Sequence, residues 1–396
     1  MKRSEFPLLI AIFLDLLGFG MIIIDIQFRA KGFGADGLTI GALLTSTFVI
    51  QLIASPKWGV LSDRIGRKPV LLICTVLSGG AMVVYGLATS LTWLFVSRVL
   101  SGFGAANVAV AQALISDTST AEERTAAMGR IGAAISTGLI AGPLLGGTLA
   151  GIGQASSIGL VAGGCSLIGA VLIGVFVHSA APVPRERSKD KRFAIDLRLL
   201  KDLPTLRPLI IVAAVAWFSL ATLEGTFGQL IKKTLGYGRV EFGLIFGYES
   251  LLSVLIQGLL LGWISKRIKE GPMIRIAYLF QGVGLAMTPF APGLAVLFLA
   301  STFYAIGAGI ANPTVNGIAS KLTPADRQGE LFGLLQATRS VGFAIGPVLG
   351  GILFDWHFAT PYLLSGAVCV FAAIILAVPD RVETVVEASK TEHAEA

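Results

Sequence analysis

Residues 129–147 read GRIGAAISTGLIAGPLLGG, and residues 333–351 read GLLQATRSVGFAIGPVLGG. Gly129, Gly138, Gly142, Pro143, Gly146 and Gly147 recur at a constant offset as Gly333, Gly342, Gly346, Pro347, Gly350 and Gly351. A second pair supports the repeat at an offset one residue shorter. Residues 59–65, Gly-Val-Leu-Ser-Asp-Arg-Ile, resemble residues 262–268, Gly-Trp-Ile-Ser-Lys-Arg-Ile. One unit is therefore written twice along the chain, which is an architectural statement before any residue has a role.

Composition supplies the medium. The chain has 396 residues, 54% hydrophobic and 14% charged, with mean hydropathy +0.79. A soluble domain carries about 25% charged residues, so this chain lacks the polar surface that water demands. Its apolar blocks reach the roughly 20 residues needed to cross a bilayer. They predict spans at 7–28, 39–61, 70–89, 91–115, 126–151, 156–177, 209–231, 240–264, 272–290, 293–319, 329–352 and 360–378. The expectation is an all-α membrane protein of twelve transmembrane helices in two six-helix pseudo-symmetric bundles, 1–178 and 209–380. A cytoplasmic linker at 179–208 joins them and a cytoplasmic tail follows at 381–396. Phe193, Leu197 and Leu200, spaced among Lys191, Arg192, Arg198 and Lys201, suit an interfacial helix in the linker. A merely solvated linker fits as well.

The net charge of +7 does not point to nucleic acid, because the basic residues sit in short loops rather than on one polar face. Arg64, Arg67 and Lys68, Arg124, the stretch from Arg185 to Arg207, and Lys266, Arg267 and Arg275 fall in alternate loops. That bias puts both termini in the cytoplasm. Lys232, Lys233 and Arg239 are the exception, with Arg29 and Lys31 a weaker one. The first apolar block is too long for a signal-peptide core and carries Asp15, so no cleaved leader is expected. Cys74, Cys165 and Cys369 lie in separate apolar blocks without metal or redox spacing, and read as small buried hydrophobes. The three histidines, His178, His357 and His393, form no ligand or catalytic set. No G-x4-G-K-[ST] motif is present. The expectation is a non-enzyme with no cofactor and no metal.

Gly59-Val-Leu-Ser-Asp63-Arg64-Ile-Gly66-Arg67-Lys68 resembles the signature loop of the major facilitator superfamily. Anchoring to the inner leaflet would account for Arg64, Arg67 and Lys68, but not for Gly59, Gly66 or Asp63. The resemblance implies a cytoplasmic gating loop whose acid–base contacts form and break. Arg98-Val-Leu-Ser-Gly102-Phe-Gly104 resembles a second motif of the family, in which the arginine takes part in proton coupling. An arginine in an apolar span is costly unless it is paired or wet; snorkelling to the nearer interface is the alternative. Gly129, Gly138, Gly142, Pro143 and Gly146 resemble the antiporter motif. The recurrence as Gly342, Gly346, Pro347 and Gly350 assigns them to helix packing as readily as to transport direction. Leu14-Asp15-Leu-Leu-Gly18-Phe-Gly20 resembles the opening of the twelve-span drug/proton antiporters, tetracycline efflux proteins included. The chain departs from these at Ile24 and Gln27, where prolines are usual.

The resemblance implies alternating access in a bacterial inner membrane, with a small-molecule substrate, protons and membrane lipids as partners. One chain carries both halves, so a monomer suffices. Asp15, Glu224 and Glu249 are the informative acids, since each lies within a predicted span. Asp15 is the first candidate for proton coupling, with Arg98 as its electrostatic partner. Glu224 and Glu249 would recognise a cationic substrate, or else are hydrogen-bonded structural acids. Gln51, Asn107, Gln257, Gln281, Gln336 and Arg339 offer polar lining, and Phe218, Tyr248 and Phe303 apolar walls. Asp25, Gln27 and Arg29 form a polar periplasmic mouth in which Asp25 and Arg29 are spaced as an i,i+4 pair. They act as a local salt bridge or as a substrate gate. Three functions follow: proton-coupled export of amphipathic small molecules or drugs; carriage of a specific metabolite or lipid by symport or facilitated diffusion; or a non-transporting receptor or scaffold.

Overall fold

The computed structural model describes residues 5–118, 121–152, 155–177, 198–324 and 327–375. Among these, every regular element is helical, as expected where backbone polar groups find no water and must bond within their own segment. The helices are α1 (Glu5–Gly32), α2 (Gly37–Ile65), α3 (Arg67–Leu87), α4 (Leu91–Gly104), α5 (Asn107–Thr118), α6 (Ala121–Ile152), α7 (Ala155–Phe176), α8 (Arg198–Asp202), α9 (Leu206–Leu235), α10 (Arg239–Leu255), α11 (Leu261–Ile264), α12 (Glu270–Met287), α13 (Leu294–Lys321), α14 (Gln328–Trp356) and α15 (Thr360–Ile375). Ten stretches of described helix are long and apolar enough to cross a membrane, α4 with α5 counting as one; Thr360–Ile374 is apolar but shorter. Large apolar side chains stay exposed along them, among them Trp93, Val171, Val175, Leu259 and Phe371. Their exposure suits lipid rather than water, and the chain is a multi-pass membrane protein.

Local chemistry sets the breaks. Asp36 caps α2, its carboxylate accepting from Thr39 N at 2.8 Å, and that bond holds the carboxyl below the usual range. Gly66 lies between α2 and α3 with φ +98°, a conformation that a side chain would strain. A π-helical turn, Ile256–Leu260, interrupts the line from α10 to α11. The expected interfacial helix lies largely outside the described residues; only its end appears, as α8. The tail at 381–396 is also outside them.

The chain forms two compact units. The first comprises the described residues of 1–193 together with Phe227–Gly247, and the second those of 194–226 and 248–396. The end of α9 and the start of α10 thus group with the first unit. Within it, α1 packs on α6 and α7, and α3 on α4 and α7. Two apolar cores form there, one around Leu8, Val70, Leu114 and Ile173, the other around Leu17, Met21, Leu43 and Met82. In the second unit α12 packs on α13 and α15.

Candidate functional site

The repeated glycines fix where the charged residues sit. A Cβ on Gly138 would lie 2.8 Å from Phe13 O, one on Gly142 2.7 Å from Leu17 O, and one on Gly146 2.9 Å from Met21 Cα. The backbone of α6 therefore lies directly on α1 along the turns that carry Asp15 and Asp25. In the second unit Gly342, Gly346 and Gly350 do the same on α9, against Trp217, Ala221 and Thr222. Pro143 and Pro347 lie inside α6 and α14 without ending them. Gly129 departs from the expectation, because among the described residues nothing lies within 4 Å of a Cβ there, and Gly333 behaves alike. The packing stripe starts about two and a half turns later than the sequence pattern does.

Asp15 is buried, and three helices deliver polar groups to it. Asn107 Nδ2 donates to Oδ2 at 2.6 Å, and Ser166 Oγ donates to Oδ1. Ser78 adds a third side-chain hydrogen bond. Asn107 is held in this orientation by its own Oδ1, which accepts Val108 N at 2.7 Å. Every donor to Asp15 is neutral. The expected partner, Arg98, does not reach it. The guanidinium of Arg98 instead sits over the Tyr85 ring, 5.1 Å from the centroid, with Ser97 Oγ at 3.5 Å from Nε. Its Nη2 is buried without a hydrogen-bond partner among the described residues. Burial at 3% exposure removes the snorkelling alternative in this structure.

Asp25 and Arg29 do not form the expected i,i+4 pair. Asp25 is fully buried; Arg239, from the start of α10, binds its Oδ1, and Tyr85 Oη donates to its Oδ2 at 2.6 Å. Arg29 turns to the end of α3, donating from Nη2 to Gly86 O at 2.9 Å and Ala88 O at 2.8 Å. There a cation meets carbonyls left open by the helix terminus. Gln27 is also buried, and its Oε1 accepts Gln229 N at 3.3 Å. The polar mouth read from the sequence is thus an internal network. Arg239, Tyr85 and Ser166 were not singled out as site residues. Arg239 is the legible one, since it belongs with Lys232 and Lys233 to the basic loop that breaks the charge pattern.

In the signature loop, Arg67 is the hub. It reaches Asp63 at 2.6 Å, Asp117 at 2.9 Å and Ser62 Oγ at 2.5 Å. Asp117, at the end of α5, is the acid the sequence reading missed. Lys68 donates to Gly174 O at 2.8 Å, while Arg64 is exposed. The tight backbone is at Gly66; Gly59 lies inside α2 with nothing within 4 Å of a Cβ.

The second unit holds the other acids. Glu249 is buried and bonded to Ser301. Glu224 is half-buried and lies within electrostatic reach of both Arg339 and Glu249. The Arg339 guanidinium rests on Trp217, 5.0 Å from its centroid, and on Phe343 at 5.9 Å. Tyr248 Oη and Thr302 Oγ1 are 2.8 Å apart, and the rings of Phe303 and Phe280 lie 5.3 Å apart. Gln281 is buried, its Oε1 without a hydrogen-bond partner among the described residues, and it meets Tyr304. Phe218 is half-buried, while Gln257, in the π turn, and Gln336 are exposed. Gln51 is in the first unit, donating to Ala105 O at 3.1 Å. Among the described residues no three His, Cys, Asp or Glu side chains gather as a metal site.

A family model described as the Major Facilitator Superfamily matches residues 8–295 and 209–396. Multidrug resistance protein 2 of Bacillus subtilis is 30% identical over 376 residues, 93% of each chain. Quinolone resistance protein NorA of Staphylococcus aureus is 25% identical over 380 residues, 95% of this chain and 96% of the relative. Two solved structures share the fold at low identity. The human organic anion transporter MFSD10 has TM-score 0.66 at 20% identity, covering 95% of this chain and 99% of its own. The nucleoside transporter NupG has TM-score 0.74 at 16% identity, covering 95% and 98%.

Proposed function

Because the chain belongs to the major facilitator superfamily, we propose that it is a proton-coupled antiporter exporting amphipathic small molecules, drugs included. It works as a monomer of twelve spans in two six-helix bundles, in a bacterial inner membrane with both termini in the cytoplasm. The observation that carries the proton step is the setting of Asp15. It is a buried carboxylate whose donors, Asn107, Ser166 and Ser78, are all neutral. Among the described residues no ion pair locks either protonation state, so arrival of a cationic substrate can expel the proton and a returning proton can expel the substrate. The names of the two drug-resistance relatives support the substrate class.

Asp25 and Arg239, joined by an ion pair, are the outer gate of this cycle, and Arg67 with Asp63 and Asp117 belongs to the inner one. Gating by alternate making and breaking of such contacts is a known repertoire of two-state proteins. Glu224 and Glu249 supply negative charge for the substrate in the second bundle. The metabolite-carrier alternative is the weaker one, because the two curated relatives above are named for drug resistance.

Reconstitution in liposomes with an imposed pH gradient tests the reading. Wild-type protein should accumulate a fluorescent lipophilic cation against its gradient, and Asp15→Asn should lose at least tenfold of that uphill rate while still equilibrating substrate. Uphill transport unchanged by Asp15→Asn would remove the coupling role.

A further inference from the structure

Tyr85 touches both the mid-span arginine and the outer gate. Its ring, fully buried, has Arg98 Cζ 5.1 Å from its centroid and Arg29 Cζ 5.0 Å from it. Its hydroxyl donates to Asp25 Oδ2 at 2.6 Å, and the other oxygen of that carboxylate is bound by Arg239. Arg98 lies seven residues into α4, about 10 Å along the helix axis from its start. The guanidinium is charged, buried and without a carboxylate, so the π face of Tyr85 is its principal compensation.

The chemistry of a phenol makes this contact directional. A cation over the ring draws electron density from the oxygen and makes the hydroxyl a better donor. A hydrogen bond to a carboxylate is among the stronger kinds and responds to donor strength. Positive charge at Arg98 therefore tightens the Tyr85–Asp25 bond, and Asp25 in turn holds Arg239. We infer that Tyr85 is a positioning residue that ties the charge at Arg98 to the Asp25–Arg239 closure, so that an anionic group neutralising Arg98 loosens the outer end of α10. This rests on the reading of Asp25 and Arg239 as the outer gate. It adds a specificity that the cation sites of the second unit do not supply: a substrate carrying an acidic group as well as a cationic one opens the gate more readily.

The test is the rate at which a membrane-impermeant maleimide labels Gln229→Cys from outside, with Cys74, Cys165 and Cys369 replaced by Ala. Gln229 is buried beside Gln27, so labelling reports opening. Arg239→Gln should raise the rate about tenfold, the equivalent of about 1.4 kcal/mol. Tyr85→Phe, which keeps the ring and removes only the hydroxyl, should raise it about threefold to tenfold. Arg98→Gln should raise it in the Tyr85 protein and add nothing in Tyr85→Phe. An equal effect of Arg98→Gln in both backgrounds, or no effect of Tyr85→Phe, overturns the inference while leaving the gate intact. If Arg98→Gln does not reach the membrane, the Tyr85→Phe rate decides alone. No change in Arg239→Gln overturns the gate reading and the inference with it.

Discussion

Each acid in a span meets a different solution to the cost of burying charge. Asp25 has an arginine and a tyrosine, Asp15 has only neutral donors, and Glu249 has a serine with Glu224 nearby. Glu249 lies within electrostatic reach of Glu224, so a cation arriving near the two carboxylates offsets the repulsion between like charges. Glu249→Gln should raise KM for a monovalent lipophilic cation about tenfold, roughly one ion-pair contact of 1.4 kcal/mol. It should leave KM for a neutral substrate of similar size within about twofold. Equal loss for both, measured as transport in vesicles, would return Glu249 to a structural role. The sequence displayed these acids because a carboxylate within an apolar block is conspicuous. It hid their partners. Asp25–Arg29 had ideal local spacing, yet Arg239, 214 residues away, holds the acid. Spacing along one helix says which residues share a face, and nothing about which distant helix arrives there.

At the level of elements, the repeated glycines were legible as packing positions and their boundary was not. Gly142 and Gly346 meet neighbouring backbone or Cβ atoms at 2.7 and 2.8 Å from a built Cβ, whereas Gly129 and Gly333 meet nothing. Gly129 and Gly333 each lie nine residues before the stripe begins, about half a turn out of phase with it, and so fall on the opposite helix face. Gly142→Leu should therefore lower the thermal unfolding midpoint in detergent markedly, at a cost of several kcal/mol from forced separation of α1 and α6. Gly129→Ala should be neutral or stabilising by about 0.5–1 kcal/mol, because alanine is the better helix former. Equal midpoints for the two variants would contradict the assignment of the stripe to Gly138, Gly142 and Gly146. The same distinction separates Gly66, whose φ of +98° the turn requires, from Gly59, which is an ordinary helical residue.

For the whole molecule, a proton crossing at ~100 mV releases about 2.3 kcal/mol, and a pH difference of ~1 unit adds about 1.4 kcal/mol. The sum sustains a several-hundred-fold gradient of a neutral substrate per proton, so export needs no nucleotide. That charge movement requires one group to hold either a proton or the influence of substrate, never both, and Asp15 is the group assigned. The most direct measurement is proton release by detergent-solubilised protein in weakly buffered solution as a lipophilic cation is titrated in. The account predicts substrate-linked release approaching one proton per chain, abolished in Asp15→Asn while substrate still binds. Saturable binding with no proton released by the wild type, or release that persists in Asp15→Asn, would contradict it.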